Sequence, residues 1–179
     1  MVKPLAVLCA AILATAGCGA GDAGGSPPPP DASPQETAAV EPSPKQTALE
    51  CGAAFTPPTG GGLYLSGKFP AKVAVAAGTL TGTVQVNTPQ AVRGVVAPRA
   101  DAFLVRDGRI ATVPMPQDSV GAQLDLKPSE ARELPADVPL ASCPTLPPGT
   151  YQLYARVVFT PDNGQTAETF GGPWPIEVT

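Results

Sequence analysis

The sequence predicts that residues 51–179 form a single all-β domain, an antiparallel β-sandwich. Sixteen prolines spread from Pro57 to Pro175 leave hardly any window in which a helix of three turns could run unbroken. Short segments with alternating apolar and polar residues are separated by turn signals rich in Gly, Pro and Asp. The roughly 130 residues suffice for one hydrophobic core, and a second layer is expected to cover the apolar face of each sheet.

The earlier strands of the domain are predicted from alternation and from one strong turn signal. Strand patterns occur at residues 72–76, 80–87, 103–106, 109–113 and 123–126. Asp107-Gly108 separates two of these segments, and this dipeptide favours a two-residue hairpin turn. Residues 129–134 fit either a short helical turn or a further strand.

The clearest strand lies late in the chain, over residues 151–159. Its alternate positions are apolar and predict one buried face: Tyr151, Leu153, Ala155, Val157 and Phe159. The turn residues at 161–164 let residues 166–170 return antiparallel, so the two segments predict a hairpin. Pro173 and Pro175 flank Trp174, which predicts a sheet edge or a bend there.

A resemblance narrows the expected fold. Residues 124–130 (LDLKPSE) and residues 146–153 (LPPGTYQL) are similar to the late strands of immunoglobulin-like domains in bacterial surface proteins. A similar arrangement occurs in the intracellular proteinase inhibitor family of bacilli. The resemblance implies a single immunoglobulin-like β-sandwich, with a proteinase-inhibitor-like domain as the remote alternative for its function. Trp174 follows both domain cysteines, so the core of antibody domains is not expected.

The N-terminus has the pattern of an export signal. Lys3 precedes an uncharged run over residues 5–16, which is too short to span a bilayer comfortably. The segment Thr15-Ala16-Gly17-Cys18 resembles the lipobox of bacterial lipoproteins of the actinobacterial type, with Thr15 in place of the usual Leu. The resemblance implies that residues 1–17 are removed and that Cys18 carries the lipid. The alternative is an ordinary secretory cleavage near Ala14-Thr15-Ala16, which leaves Cys18 as a free thiol.

Residues 18–50 predict a disordered tether between the anchor and the domain. They contain four consecutive prolines at 27–30, and Val40 and Leu49 are their only large aliphatic residues. Such a composition cannot bury a core. We therefore expect the domain to be held on the extracytoplasmic face of the cell membrane by a lipid anchor.

Two cysteines belong to the domain, Cys51 and Cys143, and they predict a disulfide bond. An even pair in an exported chain is typical of such a bond. The alternatives are a metal site, for which two cysteines without histidine are insufficient, and a redox pair, whose members normally lie close in sequence.

The absence of histidine is the strongest indication about chemistry. It excludes Ser-His-Asp and Cys-His catalysis and the usual zinc sites. Without the signal peptide, ten basic residues stand against fifteen acidic ones, so no basic patch for nucleic acid is expected. The sequence therefore predicts a protein that is not an enzyme and that needs neither a metal nor a cofactor.

Two aromatic residues are the candidate partner contacts. Tyr154 lies on the opposite side of its strand from Tyr151, so one of the two is expected to face solvent. Trp174, beside Gly171 and Gly172, is the second candidate. These residues favour a protein-interaction or structural module of the envelope. The alternative, a small-ligand or solute-binding lipoprotein, predicts a concave apolar pocket.

Overall fold

A computed structural model describes residues 46–117 and 120–179, so the predicted signal peptide, Cys18 and the tether up to residue 45 lie outside the described residues. The all-β prediction is confirmed, since the described part contains strands and one 3-10 turn at Val75–Ala77. None of its helices is long and apolar enough to cross a membrane. The strands are β1 (Tyr64–Lys68), β2 (Lys72–Val73), β3 (Thr79–Asn87), β4 (Val92–Val96), β5 (Ala100–Arg106), β6 (Arg109–Ile110), β7 (Ala122–Leu126), β8 (Ala131–Pro139), β9 (Gly149–Pro161) and β10 (Ala167–Val178).

The strands form one continuous, curled, open sheet. Its order is β1-β3-β8-β5-β9-β10-β2, while β4 pairs with both β7 and β9 and β6 pairs with β5. Most pairs are antiparallel, but β5 runs parallel to β8 and β2 runs parallel to β10. β9, with thirteen residues, is the longest strand and has β5, β4 and β10 as its partners.

Several strand predictions are confirmed. Asp107 and Gly108 both have positive φ, at 52° and 71°, and connect β5 to β6 as the turn signal predicts. Of the ambiguous segment 129–134, residues 131–134 belong to β8, while Ser129 lies in the turn before it. The five alternate apolar residues of β9 all lie in the main core: Tyr151, Leu153, Ala155, Val157 and Phe159.

Other segments differ from the sequence prediction. Residues 72–76 contain a two-residue strand followed by the 3-10 turn, because the parallel partner β10 ends at Val178, opposite Val73. The strands β1 and β4 were not predicted, and each carries a glycine that interrupts the alternation. Gly94 in β4 is required by close packing, since a Cβ there would lie 2.2 Å from the carbonyl oxygen of Thr160.

A second hydrophobic cluster lies on the other face of β5 and β9. Phe55 covers it, and its ring centroid lies 5.0 Å from those of both Phe103 and Tyr154. Both rings meet Phe55 edge-on, a favourable arrangement for aromatic pairs. The N-terminal segment of the domain therefore covers the outward face of these strands, and β5 is buried on both faces.

Candidate functional site

The disulfide between Cys51 and Cys143 is present, as predicted. It joins the N-terminal segment to the loop between β8 and β9, across a sequence separation of 92 residues. Backbone hydrogen bonds also attach the N-terminal segment to the hairpin of β5 and β6. The amide of Gly52 donates to the carbonyl of Ile110, and the amide of Phe55 donates to the carbonyl of Gly108. The segment that covers the second cluster is thus held at both of its ends.

The expectation that one of Tyr151 and Tyr154 faces solvent is wrong. Tyr151 lies in the main core, and Tyr154 is only 6% exposed because Phe55 packs over its ring. The alternation of β9 correctly placed the two tyrosines on opposite faces. The sequence pattern did not show that the second face is covered as well.

Trp174, the other predicted contact residue, is half-buried. Its indole lies against Gly67 of β1, where a Cβ would come within 2.8 Å of the ring, and its centroid is 5.9 Å from that of Phe69. Trp174 therefore has a structural role, in the packing of β10 against β1. Partner contact through its exposed part stays a prediction.

A different feature brings functional groups together: an open cleft of about 560 Å³ on the outward face of β9. One wall is the strap, which we define as residues 46–49, and another is residues 114–117. The floor is formed by the end of β4, by Asp101 of β5 and by outward-facing residues of β9. We call this feature the strap cleft. A smaller cleft of about 190 Å³ adjoins it and shares Asp101 and residues 114–117.

An ionic cluster lies at the floor of the strap cleft: Asp101 and Arg156 line the cleft, and Glu168 binds Arg156 beside it. Arg156 lies directly opposite Asp101 in the pairing of β9 with β5, and its Nε and Nη2 donate to Oδ2 of Asp101 at 3.0 and 2.7 Å. Its Nη1 donates to Oε1 of Glu168 on β10 at 3.0 Å. The three side chains are only 12%, 15% and 17% exposed, in the order Arg156, Asp101 and Glu168. Two carboxylates thus share one guanidinium in a largely desolvated place.

The same cluster holds the strap through its main chain. The amide of Thr47 donates to the carboxylate of Glu168 at 3.0 and 3.2 Å, and the carbonyl of Thr47 accepts from Nη1 of Arg156 at 2.7 Å. Leu49 packs at the edge of the second cluster. Residues 47–49, which the sequence assigns to the tether, therefore lie against the sheet.

Gln117 links the wall of the cleft to its floor. Its Nε2 donates to Oδ1 of Asp101 at 2.7 Å and to the carbonyl of Arg99 at 3.3 Å. Its Oε1 is buried and accepts no hydrogen bond from the residues that the structure describes. Arg99 itself pairs with Asp137 beside the smaller cleft. Buried acceptors without a donor are uncommon in folded proteins.

The rim of the strap cleft exposes apolar surface. Met115 is 49% exposed on its wall. A flexible thioether side chain adapts to varied partner surfaces. The sequence pattern does not identify Met115, Asp101, Gln117 and Arg156, because their proximity depends on strand register. Alternation indicates only the outward position of Arg156.

Comparisons with known proteins place the chain in no family. No protein-family model and no curated protein matches it. Among solved structures, the sporulation control protein Spo0M of Bacillus subtilis is similar at 16% identity and a TM-score of 0.38, over 66% of this chain and 49% of that one. A β-glucosidase of Listeria innocua is similar at 13% identity and a TM-score of 0.34, over 65% of this chain and 16% of that one. The β-glucosidase EmGH1 of Erythrobacter marinus is similar at 15% identity and a TM-score of 0.31, over 66% of this chain and 15% of that one. The chain thus spans about half of Spo0M, and likeness at this level carries no functional argument.

Proposed function

We propose that this protein is a non-enzymatic lipoprotein of the extracytoplasmic membrane face that binds a protein partner through the strap cleft. The export pattern and the lipobox-like residues before Cys18 support the location. The disulfide between Cys51 and Cys143 is consistent with an oxidising compartment. The strap cleft supports the binding role.

The shape and lining of the cleft are the observations that carry the binding proposal. The cleft is open, its floor is ionic, and its walls are two segments outside the strands with Met115 at the rim. A small-ligand protein would be expected to enclose its ligand in a concave apolar pocket. The charged groups at the floor are engaged with one another and with the strap, which favours a structural role for them over a catalytic one.

We further propose that the curled sheet has the immunoglobulin-like sandwich arrangement, with β1, β3 and β8 facing β4, β7, β9 and β10. Its support is that the main core draws residues from both groups of strands. In addition, Gly67 of β1 lies against Trp174 of β10, and Leu65 lies against Gly171, although no described strand pairing joins β1 to β10. Such contacts are typical of two layers that pack face to face.

The location predicts the behaviour of a Cys18→Ala variant. Without the cysteine no lipid can be attached, so the protein is expected in the medium or as an unprocessed precursor instead of in the membrane fraction. Fractionation of cells followed by intact-mass analysis measures both outcomes. A correctly cleaved variant that stays in the membrane fraction would refute the lipid anchor.

The binding role predicts site-specific crosslinking from position 115. With p-benzoyl-phenylalanine in place of Met115, irradiation of intact cells is expected to yield one discrete adduct, whose partner mass spectrometry identifies. Lys72 is the matched control, because it pairs with exposed Glu177, nine residues along β10 from Glu168. The same adduct from position 72, or no adduct from position 115, would contradict a role for the strap cleft.

A further inference from the structure

The strap is a polypeptide segment that lies on a binding site of the folded domain. The amide of Thr47 donates to both carboxylate oxygens of Glu168, at 3.0 and 3.2 Å, and its carbonyl accepts from Nη1 of Arg156 at 2.7 Å. Each of these hydrogen bonds involves a charged side chain, which makes it stronger than a neutral one. Because they use main-chain atoms of the strap, any residue except proline could make them in place of Thr47.

Apart from Thr47, most of the strap is exposed. Gln46 and Ala48 face solvent, and Leu49 packs as a partly buried side chain at the edge of the second cluster. The disulfide fixes the chain only from Cys51 onward, so the strap can detach without opening of that bond. A segment with few buried apolar contacts lies at the low end of local stability.

The site under the strap is built without the strap. Arg156 on β9 and Asp101 on β5 are paired in register and are joined by two hydrogen bonds, at 3.0 and 2.7 Å. Glu168 on β10 accepts from the same guanidinium at 3.0 Å. The strands and these side chains therefore position the groups that bind Thr47, and a second polypeptide segment would meet them preorganised. Arg156 also lines the strap cleft, so the site is open to an entering segment.

We propose that the strap is an intramolecular competitor for the site of the partner, and that an extended segment of the partner replaces it. The backbone of one incoming residue makes the same contacts to Glu168 and Arg156, and an aliphatic side chain takes the place of Leu49. The inference rests on the proposed binding function. It adds the chemical class of the ligand, an extended peptide, and a means of regulation.

Covalent attachment favours the strap over a free segment. A short link to its site gives the strap an effective concentration on the order of millimolar. A partner segment binds only the fraction of molecules whose strap has left, so the strap lowers the apparent affinity. Release of the strap is therefore expected to raise the affinity for peptides.

The test supplies the strap sequence as a separate peptide. The probe is acetyl-Gln-Thr-Ala-Leu-Glu-amide, which has the sequence of residues 46–50, and the receptor is the soluble chain, residues 19–179, with Thr47→Pro and Leu49→Ser. This double variant lacks the amide donor and the apolar side chain of the strap. We expect saturable shifts of the backbone amide NMR signals of Arg156 and Glu168. The affinity is expected to exceed that of the wild-type chain about tenfold or more, because the wild-type strap occupies the site.

Two controls make the test specific. Thr47→Val removes the hydroxyl and keeps the main-chain contacts, so this chain is expected to bind the probe as weakly as the wild type does. A probe with proline in place of threonine lacks the amide that donates to Glu168. It is expected to bind the double variant about tenfold weaker or more, because a largely buried carboxylate then loses a donor.

Equal affinities of the wild type and the double variant, no saturable shifts, or equal binding of the two probes would overturn the inference. Unchanged backbone order at residues 48–50 of the double variant, measured by NMR relaxation, would also overturn it, because other contacts would then hold the strap. If these tests fail while position 115 still gives its adduct in cells, the proposed function stands and only the replacement of the strap is refuted.

Discussion

Replacing Cys51 with Ser is expected to lower the free energy of unfolding by about 4 to 5 kcal/mol, since the disulfide closes a long loop in the unfolded chain. This value is an upper bound from loop-closure entropy. The bond also holds the segment that places Phe55 over Tyr154, so its loss is expected to loosen the second cluster. Urea denaturation of residues 19–179, followed by tryptophan fluorescence, measures the change.

A substitution of the second disulfide cysteine, Cys143, supplies the control for this prediction. Cys143→Ser should cost as much as Cys51→Ser, and the double variant should be little worse than either one, because all three lose the same bond. Wild-type protein reduced with dithiothreitol should behave like the variants. Additive losses in the double variant would show that the two sulfur atoms stabilise the fold independently.

Arg156→Met is expected to destabilise the fold by about 3 to 5 kcal/mol, because it leaves two largely buried carboxylates without their cation. The substitution keeps much of the aliphatic stem, so the loss reports mainly on the charge and its hydrogen bonds. It also removes the donor to the Thr47 carbonyl and is expected to free the strap. Urea denaturation gives the stability, and amide hydrogen exchange at residues 47–50 gives the state of the strap.

An exposed ion pair provides the comparison for Arg156. Arg93 donates to Asp125 at 2.6 Å, but these side chains are 69% and 60% exposed. Arg93→Met is therefore expected to leave the urea midpoint essentially unchanged. In the Arg156→Met background, Asp101→Asn with Glu168→Gln should recover part of the loss, since no unpaired charge is then buried. Equal effects of the Arg93 and Arg156 substitutions would contradict the assigned role of desolvation.

Much of the fold follows from local patterns in the sequence. The alternation of residues 151–159 predicted the buried face of β9, and Asp107-Gly108 predicted the hairpin of β5 and β6. The count of two domain cysteines predicted the disulfide. These three predictions are confirmed because each rests on a signal within the sequence itself. A strand shows alternating residues, a turn with positive φ shows Asp-Gly, and a disulfide shows an even number of cysteines.

The strap cleft could not be predicted in the same way. Asp101 and Arg156 are 55 positions apart, and only the register of β5 against β9 places them opposite each other. Thr47 is 121 positions from Glu168, in a segment whose composition predicts disorder. A one-residue change of register would turn either side chain to the other face, so no local pattern determines these contacts.

The burial of Tyr154 could not be predicted either, because it also depends on residues distant in the sequence. Alternation determines which face of β9 carries the tyrosine, and the path of the N-terminal segment determines whether that face is covered. Phe55 follows the disulfide cysteine by four residues, and its position over the sheet depends on that bond and on the pairing with Ile110 and Gly108. Sequence periodicity describes a strand, but it does not describe the layer above it.

The central claim, that the strap cleft is the binding surface, is tested most directly by the affinity of the partner found by crosslinking. Titration calorimetry would compare residues 19–179 in the wild-type, Met115→Glu and Lys72→Gln forms. We predict that Met115→Glu weakens binding about tenfold or more, because it puts a charge on the apolar rim, and that Lys72→Gln leaves the affinity unchanged. Equal affinities for all three forms would contradict the claim and place the binding surface elsewhere on the domain.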